Sequence, residues 1–80
     1  MPTALKTGPY RFYFYSNENN EPPHIHVKRD AQTAKYWLTP VGFADNDGFS
    51  PRELREIEAL TREHCAVLLE KWNEHFGISG

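Results

Sequence analysis

Eighty residues with 39% hydrophobic, 14% aromatic and 25% charged side chains describe one small globular domain rather than a disordered chain. No apolar run approaches the roughly 18 residues of a membrane span, and the first residues lack the apolar stretch of a signal peptide, so the expectation is a cytoplasmic protein with no membrane partner. The formal charge of −2 is unevenly spread. Residues 1–39 carry five Lys and Arg against three Asp and Glu, a net of +2, whereas residues 40–80 carry four against eight, a net of −4. That balance excludes a broadly basic nucleic-acid binder, and any such contact has to be local.

In chain order, residues 1–9 contain Pro2, Gly8 and Pro9 and read as a flexible N-terminal tail. Tyr10-Arg11-Phe12-Tyr13-Phe14-Tyr15 is a run of strand-favouring residues. The polar stretch from Ser16 to Glu21 ends in Pro22-Pro23 and predicts a loop. His24 to Arg29 predicts a second strand and Ala34 to Thr39 a third, with a turn at Asp30-Ala31-Gln32-Thr33 between them. Short links imply an antiparallel meander over residues 10–39. Residues 40–49 read as irregular, with Asp45-Asn46-Asp47-Gly48 as a turn signal. Ser50-Pro51-Arg52-Glu53 is a capping box with Pro at the first helical position. Apolar or weakly polar residues then recur at three and four positions through Phe76, which predicts one helix over residues 50–76, with Gly77 as its stop. An unbroken helix of that length spans about 39 Å and overhangs strands of about 20 Å, leaving Leu68, Trp72 and Phe76 to find cover from a partner. The expected fold is thus α+β: a single domain with a three-stranded antiparallel β-meander and one long C-terminal α-helix packed on one face.

Strand alternation sorts the side chains. Phe12, Phe14, Ile25, Val27, Ala34, Tyr36 and Leu38 form the more apolar set and belong under the helix. The outer set is Arg11, Tyr13, Tyr15, His24, His26, Lys28, Lys35 and Trp37. One helix covers one face, so the outer set is expected to meet solvent or a partner. Rings interleaved with cations suit a protein partner, and they also suit single-stranded nucleic acid, whose bases stack on rings while phosphates seek Lys and Arg. The candidate partner-binding residues are Arg11, Tyr13, Tyr15, His24, His26, Lys28 and Trp37.

A competing reading starts from His24 and His26, which leave one face of a strand and can share a metal ion. Zinc takes about four ligands, and His64 on the helix is the candidate third, giving a His24, His26 and His64 site able to support metal-assisted hydrolysis. That arrangement requires the histidine face to lie beneath the helix, which exposes Ile25 and Val27. Neighbouring His64 and Cys65 diverge by about 100° on a helix and make no nucleophile and base dyad. The absence of a phosphate loop and of a serine nucleophile elbow leaves no catalytic residue to name.

Tyr13-Phe14-Tyr15-Ser16-Asn17, Pro22-Pro23-His24-Ile25-His26-Val27, the strand with Ala34 and Leu38, and the capped helix with His64, Leu68-Leu69-Glu70 and Trp72 form a specific combination. From Arg11 to Gly77 the chain resembles the bacterial domain-of-unknown-function family numbered 4160. The resemblance implies a small protein of a bacterial cytoplasm that belongs to a toxin–antitoxin-like gene pair and has a small partner protein. It supplies no reaction, and it marks His24, His26, His64 and Trp72 as pattern positions. The polar, Asn-rich loop before Pro22 departs from the family pattern. The expected function is therefore a noncatalytic interaction module that binds a partner protein, or nucleic acid, through the aromatic and basic sheet face, with homodimerisation through the C-terminal helix as a further expectation and no cofactor. The alternative is a zinc-dependent hydrolase or nuclease built on the three histidines.

Overall fold

The computed structural model describes residues 3–15 and 21–77. Five strands, β1 (Thr3–Thr7), β2 (Tyr10–Tyr13), β3 (His24–Arg29), β4 (Gln32–Leu38) and β5 (Val41–Asp47), precede two helices, α1 (Pro51–Glu63) and α2 (Cys65–Phe76). The strands form one sheet in the order β1-β2-β3-β4-β5, each antiparallel to the next. The α+β class and the antiparallel meander agree with the sequence; the numbers of strands and helices do not. Five strands stand where three were expected, and two helices where one was.

Each difference has a local cause. Thr3–Thr7 lies within the stretch expected to be a tail, yet it pairs with β2 across a two-residue turn, Gly8-Pro9. Gly8 adopts φ +58, and the Pro9 ring holds a negative φ; a II′ hairpin turn needs that pair of conformations. The breakers that suggested a tail are the turn itself. β5 occupies the stretch read as irregular and joins β4 through Thr39-Pro40, whose peptide bond is cis. Its alternation is hidden because Lys35 pairs with Asp45 while Tyr36 pairs with Phe43, so Ala44 is an extra residue that breaks the period of two. A similar register shift lies between Thr3 and Leu5 in β1. Both edge strands therefore carry irregularities, a feature that discourages pairing with further chains.

The helix starts as its sequence dictates. Ser50 Oγ accepts the Glu53 N–H at 3.2 Å, and Glu53 accepts the Ser50 N–H at 3.1 Å. It then breaks at His64, which has φ −104 and ψ 14. One turn earlier, the buried Thr61 hydroxyl donates to the Ile57 carbonyl at 2.8 Å, a back-bond that bends helices. Just past the break, Cys65 Sγ donates to the Leu38 carbonyl at 3.4 Å and ties α2 to the end of β4. The expected overhang is absent: Leu68 and Trp72 are buried in their own chain's core, and Phe76 packs against it.

All seven residues assigned to the inner face, Phe12, Phe14, Ile25, Val27, Ala34, Tyr36 and Leu38, are buried, joined by Tyr10, Phe49, Ile57, Leu68 and Trp72 in one core. Leu5, Phe12, Val27 and Ala34 lie in one cross-strand line beneath the helices. Each large side chain so enclosed contributes roughly 1.5–3 kcal/mol. No helix among the described residues is long and apolar enough to cross a membrane.

Candidate functional site

The register of the sheet fixes the composition of its outer face. Tyr13 lies opposite His26, and His26 opposite Lys35, while His24 lies opposite Trp37. The rings pack on one another. His26 stacks on Tyr13 at 5.5 Å between centroids and meets the edge of Tyr15 at 4.5 Å. His24 stands 5.2 Å from His26 and 5.8 Å from Trp37. Cations cover two of the rings: Lys35 Nζ sits 4.7 Å from the Trp37 centroid, and the Arg11 guanidinium 5.8 Å from that of Tyr13. Lys35 is itself held by Glu21 at 2.6 Å.

Exposure divides these residues more sharply than alternation does. Tyr15 and Lys28 are exposed, and Arg11, His26, Lys35 and Trp37 are half-buried. Tyr13 and His24, expected at a surface, are buried, with His24 entirely enclosed. The reason is position. His24 opens β3 directly after Pro22-Pro23, at the end of the sheet that α2 closes with Trp72, whose ring lies 4.9 Å from the imidazole and 5.5 Å from Phe14. His24 Nδ1 lies 3.0 Å from the Pro22 carbonyl, which can only accept, so Nδ1 carries the proton. The imidazole is thus a strut between α2 and the outer rings, and Glu21 approaches it at 3.8 Å.

His64 lies at the break between the helices, 3.0 Å from the Glu63 carboxylate. Among the described residues no group of three His, Cys, Asp or Glu is arranged to hold a metal ion, so the structure does not bring His24, His26 and His64 together as a ligand set. Ile25 and Val27 are buried beneath the helices, which places the histidine pair on the opposite side of β3 apart from the shift of His24 toward the sheet end.

Several outer-face participants, Glu21 and Lys6 among them, escaped the reading by alternation. Glu21 was assigned to the loop, and only its distance of three residues from His24 hinted at a contact. Lys6 was assigned to the tail, but it pairs with Arg11 in β1 and so joins the outer face. The signal that reveals it is Gly8-Pro9 between Thr3–Thr7 and the aromatic run that starts at Tyr10, which reads as a hairpin once the turn is recognised.

Comparison with known proteins places this arrangement in context. The profile of a family described as "Domain of unknown function (DUF4160)" matches residues 10–73, from β2 to within one turn of the end of α2. No curated protein and no solved structure matches the chain.

Proposed function

We propose that this chain, which belongs to the DUF4160 family, is a noncatalytic binding module that engages a small partner protein through its outer sheet face, as one component of a toxin–antitoxin-like pair in a bacterial cytoplasm. The observation that carries the reading is the ring cluster of Tyr13, Tyr15, His26 and Trp37 on the face turned away from the hydrophobic core. Cross-strand rings stabilise the sheet that carries them, and Tyr and Trp are also the residues most often found at the centre of protein interfaces. The packing of Tyr13, Tyr15 and His26 on one another, and of Trp37 against His24 and Lys35, restricts their rotamers before any partner arrives, which reduces the ordering cost of association.

Size adds a constraint. Five strands at about 4.8 Å spacing and about 20 Å length present a face of roughly 480 Å². A standard interface covers about 800 Å² on each partner, so the partner reaches past the sheet onto its rim. The toxin–antitoxin assignment rests on the family resemblance, and the binding face rests on the geometry.

The reading is tested by native mass spectrometry of tagged chain purified from the organism that encodes it. A stoichiometric protein partner is expected with the wild type and is expected to be lost with the Tyr15→Ala/Trp37→Ala variant. A chain that emerges alone, or a partner retained by the variant, would overturn it.

A further inference from the structure

We infer that the segment of partner seated on this face is acidic and is received by a cross-strand row of three cations, Lys6, Arg11 and Lys28; the inference rests on the protein-binding reading above. Lys6 pairs with Arg11, and Arg11 pairs with Lys28, so three positive side chains stand on three adjacent strands within about 10 Å. Like charges directly opposite one another destabilise a sheet, so the row works against the isolated fold. Three other cations have carboxylates: Arg29 has Glu53 at 3.2 Å, Lys35 has Glu21 at 2.6 Å and Arg62 has Glu58 at 3.4 Å. Among the described residues Lys6, Arg11 and Lys28 have none, and Lys6 and Lys28 are exposed.

The middle member is already positioned. Arg11 Nε donates to Thr3 Oγ1 at 2.9 Å, while its guanidinium lies against Tyr13. The terminal N–H groups are left to donate to a carboxylate in the paired geometry that guanidinium favours. An incoming acidic side chain thus meets one held and two exposed cations beside the ring cluster.

The far end of the face decides between a polypeptide and a nucleic acid. Lys28 lies opposite Thr33, and Thr33 lies opposite Asp47, while Asp45 lies opposite Lys35; both aspartates are exposed. A strand of phosphates crossing the sheet meets those carboxylates about 10 Å beyond Lys28, within about one Debye length. A polypeptide can be acidic over β1 to β3 and neutral or basic over β5. Stacking points the same way. His26 and Arg11 lie against Tyr13, and Lys35 covers one side of Trp37, which leaves Tyr15 as the exposed ring of the cluster on which a base could stack.

Fluorescence anisotropy on the full chain tests the assignment with two labelled probes, octaglutamate and an eight-nucleotide thymidine strand, at low and moderate salt. Octaglutamate is expected to bind at low salt, more tightly than the nucleotide strand, and to lose about tenfold in affinity with Lys6→Gln/Lys28→Gln, a variant expected to melt no lower than wild type. Absence of octaglutamate binding, or equal binding by the variant, overturns the inference, and so does tighter binding of the nucleotide strand. Sedimentation of the chain alone that reveals a dimer abolished by the same variant also overturns it, by giving the row to a second copy. A partner captured by the wild type, lost with Tyr15→Ala/Trp37→Ala but kept by Lys6→Gln/Lys28→Gln, leaves the protein-binding reading standing and removes the acidic assignment alone.

Discussion

His24 is enclosed by Trp72, Trp37 and His26, with its Nδ1 proton on the Pro22 carbonyl, whereas His26, two residues along, is half-buried among Tyr13 and Tyr15. Removing the first imidazole leaves a cavity between α2 and the sheet and strands a carbonyl, at a cost of about 2–4 kcal/mol for His24→Ala. His26→Ala is expected to cost under about 1 kcal/mol, because solvent can fill the space. Urea unfolding of both variants checks the difference; equal losses would mean that His24 is not the strut that its burial implies. Tyr36 offers a second test at this scale. Its hydroxyl donates to the Leu54 carbonyl at 2.8 Å, and burial, with a smaller contribution from Glu58, pushes its pKa up from 10.0 to about 12. The folded state therefore holds the phenolic proton over a range where the unfolded chain has released it. The resulting stability is complete below pH 10 and falls as the pH rises toward about 12. Unfolding between pH 9 and 12 should show a steeper fall for wild type than for Tyr36→Phe, and parallel curves would remove Tyr36 as the cause.

At the scale of elements, what was legible depended on whether the governing interaction was local. The Ser50-Pro51-Arg52-Glu53 start of α1 is written in four consecutive residues, and the structure contains both of its reciprocal bonds. The inner faces of β2, β3 and β4 followed from alternation because no extra residue interrupts those strands. β5 was hidden by Ala44 and β1 by its own turn, since a bulge and a two-residue hairpin are settled by the neighbouring strand rather than by the segment itself. The break at His64 was likewise hidden: the apolar spacing continues through it, while the Cys65 bond to Leu38 beside it joins residues 27 positions apart. The candidate site divided in the same way, with alternation placing Tyr13 and His24 on the outer side but giving no sign that both are buried, His24 against distant Trp72. The local signal carries its own prediction. Ser50→Ala should destabilise by about 1 kcal/mol, and Ser50→Asp should recover most of it, by thermal unfolding. The Ser50 N–H bond also holds the Glu53 carboxyl below its ordinary pKa. Its contribution is present above the unfolded value of 4.5 and is lost as the pH falls through the lower folded one, so it should fade under acid.

For the whole molecule, a domain of 80 residues has a net stability of roughly 4–12 kcal/mol, so a single cross-strand repulsion is a measurable fraction of the total. Lys28 faces Arg11 across β2 and β3 with Lys6 one strand further, and none of the three has a carboxylate among the described residues. Lys28→Glu converts the repulsion with Arg11 into an attraction while leaving the core beneath untouched. The free chain should gain about 0.5 kcal/mol, or roughly 2–4 °C in Tm for a domain of this size. Salt separates this electrostatic account from a change in strand propensity. At 1 M ionic strength the Debye length falls to about 3 Å, shorter than the strand spacing, so the gain should shrink toward zero. A change in propensity would persist. Thermal melts of wild type and Lys28→Glu at 20 mM and 1 M NaCl give the answer, and a variant that melts lower, or higher by the same amount at both salts, would dismiss the strained row. A gain confined to low salt, together with lost octaglutamate binding, would show one residue acting in opposite directions: Lys28 weakens the free fold and strengthens the complex, as expected of a charge placed for a partner rather than for the sheet that carries it.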